Sequence, residues 1–191
     1  MALSIEDRRK VGRPLLWLGM ASMLMAFAGL TSGYVVSRSA LMAEGMWMSF
    51  ALPVEFLWST LVIGLSSLVL IAARGRIRAD DTPNVTRLVW IAFALGLGFA
   101  ALQLLGWQSM VDAKIFFADP TNTAGSWVYA ISGLHLAHMA AGLIVLIVTG
   151  FRAARGRYTP GNEHGFVLSA TFWHFLGVLW LYLYGFMAFI R

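Results

Sequence analysis

The run SWVYAISGLHLAHMAAGLIVLIVTGF, residues 126–151, decides the fold. It holds no Asp, Glu, Lys or Arg in 26 residues. A helix needs about 20 apolar residues to cross about 30 Å of hydrocarbon. The run shows no alternation of apolar and polar positions, so a helix is expected and a barrel strand is not. Four more runs of this kind occupy residues 14–37, 52–73, 85–109 and 166–190. Charge within them stays at the edges, with Glu55 near the start of the second and Arg87 near the start of the third. The sequence predicts an all-α polytopic membrane protein, a bundle of five transmembrane helices in one domain over residues 1–191.

Composition agrees. The chain is 59% hydrophobic and 12% charged, with a mean hydropathy of +0.74. Soluble domains carry about 25% charged residues. A 21.0 kDa globule cannot hide so much apolar surface from water. A soluble enzyme, a disordered chain and a surface-bound amphipathic protein are excluded. With no Cys, disulfide scaffolds, thiolate metal sites, iron–sulfur clusters and cysteine nucleophiles are excluded too.

The net charge of +5 is explained by position. Eleven of the 14 basic residues fall on one side: in the N-terminal segment, in the connection after the second run together with Arg87 at the start of the third, and in the connection after the fourth. The other side has Arg38, Lys114 and Arg191. The positive-inside rule places the N-terminus in the cytoplasm and the C-terminus outside. The basic patches face anionic lipid headgroups, and nucleic acid is not an expected partner. The first run is longer than the apolar core of a signal peptide and is read as an uncleaved helix.

The connections are too short for an extramembrane domain. Pro83 is expected to precede the third helix, capped by Thr82 or Asn84. The outer connection holds Asp112, Lys114, Asp119 and Pro120. Trp17, Trp47, Trp90, Trp107 and Trp127 fall near the ends of the runs, as interfacial belts do. Small residues mark close helix approach: the Gly29/Gly33 pair, Gly96 and Gly98, and Gly133, Ala137, Ala141 and Gly142. They serve either packing among the five helices or docking of another subunit.

Ionisable residues in hydrocarbon each need a reason. His135 and His138 are three apart and share a face of the fourth helix. His174 lies in the fifth helix, Gln103 in the third, and His164 in a loop. The imidazoles have three readings: hydrogen bonds across helices or to lipid or water, a haem or metal site, or proton transfer. One facing pair is the most they can supply, so a multi-haem wire is excluded. Of nine acidic residues only Glu55 falls inside a run. No Walker loop, nucleophile elbow or metalloprotease motif is present. This inventory points to a supporting subunit or a small transport protein.

Two segments narrow the choice. Gly133-Leu134-His135-Leu136-Ala137-His138-Met139 precedes Gly142, and Phe172-Trp173-His174-Phe175 precedes Trp180-Leu181-Tyr182-Leu183-Tyr184. Together they resemble subunit III of the haem–copper oxidases, the cytochrome c oxidase subunit III family, in its shorter five-helix form. Gln103, Gly29 and Arg152 match further family positions, and the likeness runs from about Arg13 to the C-terminus. Several family carboxylates are replaced, by Met23, Gly106, Val167 and Gly177, so a role for those groups in proton handling does not transfer.

The resemblance implies a subunit without catalytic or metal-binding residues, in the bacterial cytoplasmic membrane. It would sit beside subunit I, whose haem and copper reduce dioxygen to water while protons are pumped, and beside other respiratory-complex subunits. It implies bound phospholipids in a cleft between the first two helices and the rest, support of subunit I, and dioxygen or proton delivery. His135, His138 and His174 would brace the bundle through hydrogen bonds. Trp173, Gln103, Gly29 and Gly33 would make structural or subunit contacts, and Arg152 would meet a lipid phosphate. The alternatives are a nitric-oxide-reductase-associated relative, a single-haem carrier ligated by His174 and a fourth-helix His, and a small transporter.

Overall fold

The computed structural model describes residues 5–119 and 121–190, with side chains from residue 11 onward. Pro120, Arg191 and the side chains of Arg8, Arg9 and Lys10 lie outside the described residues. Five helices follow in order: α1 (Ile5–Ala43), α2 (Val54–Arg78), α3 (Thr82–Asp112), α4 (Thr123–Ala154) and α5 (His164–Phe189). All five are long and apolar enough to cross a membrane. Most overshoot the apolar runs, because backbone hydrogen bonding continues through the polar interfacial turns after the hydrocarbon ends. Thus α1 has 39 residues, with Pro14 inside it.

Two ends differ from expectation. The N-cap of α3 is Asp81, whose carboxylate accepts from the Asn84 backbone N–H at 3.4 Å and from Asn84 Nδ2 at 2.7 Å. Pro83 sits within the first turn, where a missing N–H costs no helical bond, so the cap moves upstream. His164 is not in a loop but opens α5. At the other end, the Asn122 side chain caps α4 by accepting from Gly125 N–H at 3.0 Å.

Helices α2, α3, α4 and α5 form a closed ring, each touching the next and α5 returning to α2. Helix α1 lies outside the ring on α4 and α5, and touches neither α2 nor α3 among the described residues. Helices α1 and α2 thus do not pair with each other as a unit apart from the rest: α2 is a ring member, and α1 lies on α4 and α5. The chain alternates direction, so the Arg-rich ends of α2 and α4 and the starts of α1, α3 and α5 meet at one basic end. Arg74 there pairs with Glu163 at 3.3 Å.

Glycines act as sockets for large rings. A Cβ on Gly96 would lie 2.5 Å from Trp173 Cη2, and one on Gly106 would lie 2.5 Å from Phe56 Cε1. One on Gly142 would meet Leu176 at 2.8 Å, and one on Gly33 would meet Trp127 at 2.8 Å. These glycines serve packing within the chain. Gly29 differs: nothing lies within 4 Å of its Cβ position. The Gly29/Gly33 pair is thus split between an open face and an internal contact.

Candidate functional site

Hydrogen bonds across the membrane interior come from hydroxyls and indoles. Ser66 Oγ donates to the Ala92 carbonyl at 2.9 Å and accepts from Trp173 Nε1 at 3.1 Å, joining α2, α3 and α5 at one oxygen. Trp180 Nε1 donates to Thr60 Oγ1 at 3.0 Å. Trp107 Nε1 donates to Ser132 Oγ at 3.0 Å. Gln103, fully buried, donates through Nε2 to Ser59 Oγ at 2.8 Å. Nearer the ends, Thr149 donates to Ser169 at 2.8 Å and Ser109 to Glu55 at 2.7 Å. A helical Ser or Thr can bond its own preceding turn and still offer a lone pair to a neighbour.

The imidazoles do not form the expected braces. His135 is fully buried, in a cage of Phe27, Phe99 and Trp180 with ring centroids 6.1, 6.0 and 5.2 Å away. Neither of its ring nitrogens has a hydrogen-bond partner, nor does Gln103 Oε1. His138 Nδ1 approaches the Leu134 carbonyl at 2.7 Å, one turn back on its own helix, and its ring lies beside Phe27. His174 lines the valley between α2 and α5. His135 and His138 share Phe27 as a neighbour, the first ring buried and the second half-buried, while His174 stands on another helix in an outer valley.

A b-type haem needs two imidazoles facing each other. His135 points into an aromatic cage and His174 into an outer valley, so these residues do not fit a haem. Among the described residues, no three of His, Asp or Glu gather to hold a metal ion.

A cavity of about 380 Å³ opens at the basic end, lined by Arg152, Arg155, Arg157, Tyr158, Asn162 and Gly165. The end of α4 builds it. Gly156 takes a φ of +62°, and its N–H donates to the Ala153 carbonyl at 2.9 Å. Arg157 N–H then reaches back to the Arg152 carbonyl at 3.0 Å. This pair of bonds is a Schellman turn, which needs a left-handed residue after the helix. It folds Arg157 back toward Arg152. Asn162 Nδ2 donates to the Arg157 carbonyl at 3.0 Å and fixes the far wall.

Tyr158 is only 5% exposed, and its hydroxyl lies near Thr149 and Arg152 without a well-formed hydrogen bond to either. Burial pushes its phenol above the ordinary value, against the opposing pull of nearby Thr149 and Arg152. Three guanidiniums around a buried O–H donor suit an anion with several oxygens, such as a phosphate. From sequence, Arg152 stands out through the family resemblance, Arg155 and Arg157 read only as topology signals, and Tyr158 and Asn162 go unremarked. Their spacing around a Gly at the end of an apolar run was the available clue.

The comparisons with known proteins agree with one another. The family described as cytochrome c oxidase subunit III matches residues 22–190. A probable cytochrome c oxidase subunit 3 of Mycobacterium bovis is 30% identical over 190 residues, covering 93% of this chain and 86% of that one. A probable cytochrome c oxidase subunit 3 of Rickettsia prowazekii is 33% identical over 131 residues, which is 68% of this chain but 45% of that protein. The cytochrome c oxidase subunit 3 of the plant Marchantia polymorpha is 35% identical over 86 residues, 45% of this chain and 32% of its own length. This chain is a five-helix membrane protein that belongs to the cytochrome c oxidase subunit III family.

Proposed function

We propose that the chain is a non-redox accessory subunit of a proton-pumping haem–copper terminal oxidase. Haem and copper would reside in partner subunits, chiefly subunit I, and dioxygen would be reduced there. The chain would lie in the bacterial cytoplasmic membrane with its basic end inside. Its own contribution would be to hold phospholipid against the complex, support subunit I through turnover, and help bring dioxygen to it through lipid. Met23, Gly106, Val167 and Gly177 replace family carboxylates, so delivery of protons is not assigned to this chain.

The observation that carries the lipid-holding role is the cavity of Arg152, Arg155, Arg157 and buried Tyr158 at the basic end. Its donors match a lipid phosphate, and its place at the end of α4 matches the headgroup level. Affinity purification from the native membrane tests the oxidase assignment. Co-purification with a haem- and copper-bearing subunit that reduces dioxygen is expected. A chain that purifies without such a partner, and whose deletion leaves oxidase turnover unchanged, overturns it. Combined Arg152→Gln and Arg157→Gln substitution tests the cavity. The complex is expected to lose bound phospholipid and to inactivate sooner during turnover.

A further inference from the structure

A second amphipathic site lies on another face. Helix α5 runs between α1 and α2, which do not touch each other. The valley between α2 and α5 holds two cavities that meet at His174. The one nearer the basic end is about 250 Å³ and is lined at its mouth by Arg74 and deeper by Ala170 and Thr171. The other is about 200 Å³, with Gly64, Ser67 and Gly177 along it and Leu181 at its far end. From Arg74 to Thr60 the valley follows about four turns of α2, some 21 Å. That exceeds the roughly 15 Å of hydrocarbon in one leaflet.

Polarity falls in order along it. Arg74 is 43% exposed, and its guanidinium meets Glu163 at 3.3 and 3.4 Å. Arg78 also acts on that carboxylate, so two cations face one anion and the mouth is positive. The imidazole of His174 comes next. Beyond it the lining is apolar but for two hydroxyls, Ser67 and Thr60, and Thr60 Oγ1 already donates to the Phe56 carbonyl and accepts from Trp180. No side chain blocks the trench at Gly64, where nothing lies within 4 Å of the Cβ position.

We propose that this valley seats one anionic glycerophospholipid of the leaflet at the basic end. The phosphate lies at Arg74, an ester carbonyl accepts from His174, and one acyl chain follows the trench past Gly64 and Gly177. The positive mouth at Arg74 above a trench left open at Gly64 favours a headgroup with its acyl chain over a transmembrane helix, which would bring no anion to that mouth. The inference does not rest on the Arg152 cavity, which is lined by different residues at the other flank of α5.

Native mass spectrometry of the full chain, in its purified complex, tests it after exchange into phosphatidylglycerol or phosphatidylcholine. Wild type is expected to retain a phospholipid in the valley with preference for phosphatidylglycerol. Gly64→Leu, whose Cβ would have nothing within 4 Å and whose branch would fill the trench, loses one lipid per chain while its helical circular dichroism is unchanged. Arg74→Gln lowers the preference for phosphatidylglycerol about fivefold, and Glu163→Gln raises it by freeing Arg74. Arg152→Gln leaves this lipid in place, so the two sites are read separately. The chain has no Cys, so Val178→Cys accepts a single photo-cross-linker, which is expected to label lipid. Capture of a polypeptide at that position, or a Gly64→Leu chain holding as many lipids as wild type, overturns the proposal.

Discussion

Gly96 on α3 and Trp173 on α5 fit as socket and plug: a methyl group on the glycine would stand 2.5 Å from Cη2 of the indole, and Leu143 would crowd it at 2.8 Å. Trp173 is 1% exposed, and its Nε1 is held by Ser66. The ring cannot retreat without giving up that bond. Gly96→Ala is therefore expected to destabilise the bundle by about 1–3 kcal/mol, the usual cost of overpacking. Thermal unfolding in detergent checks it. Gly64→Ala, where the space is open, is the control and should unfold with wild type.

Ser66 is the junction of three helices, yet its removal should be mild. Interhelical hydrogen bonds in membranes average about 0.6 kcal/mol. Ser66→Ala removes the acceptor of Trp173 and one donor to Ala92, so a loss of about 1 kcal/mol is expected. Ser66→Val should cost more, because it adds bulk beside the indole. Steric trapping or denaturation in mixed micelles measures both.

His135 gives the opposite expectation. Its nitrogens have no partner, so the ring contributes shape and aromatic contact only. Replacing an unsatisfied buried polar group by an apolar one of similar shape is neutral or stabilising. His135→Phe should leave stability within about 1 kcal/mol of wild type or raise it, whereas His135→Ala should cost about 2–4 kcal/mol through the cavity it leaves. A large loss in the Phe variant would mean that the imidazole nitrogens are used.

The pair of Arg74 and Glu163 makes the basic end sensitive to acid. The hydrogen bond from Arg74 holds the Glu163 carboxyl below its ordinary value of 4.5. A lowered carboxyl value adds stability that is fully present above that ordinary value. It is lost as pH falls through the lower folded-state value. Both side chains are partly exposed, so the contribution should be a few tenths of a kcal/mol and fade in salt. Unfolding midpoints followed below about pH 4.5 should drop less steeply in Glu163→Gln than in wild type.

The fold was legible because hydrocarbon imposes one constraint on every residue of a span, and runs such as residues 126–151 obey it throughout. The sockets at Gly96 and Gly142 were visible as small residues, but not what they receive, since Trp173 is remote in sequence. The bracing role went to Ser59, Thr60 and Ser66 because ionisable groups draw attention in an apolar run. A small hydroxyl in an apolar run leaves no such mark, whether it bonds its own helix, as Ser59 and Thr60 do, or the next one, as Ser66 does. Arg155 and Arg157 were counted as charge, and only the turn at Gly156 reveals that they share a cavity with Arg152.

Because among the described residues only α5 contacts α1, α2 and α4 together, the order of synthesis constrains assembly. While the first four helices are in the membrane and the fifth is still being made, Ser66 and Thr60 lack their indole donors. Helix α1 then has only α4 to rest on. A chain cut short before Trp173 would thus present unclosed polar seams to the bilayer, a state that membrane proteases can distinguish from the finished protein.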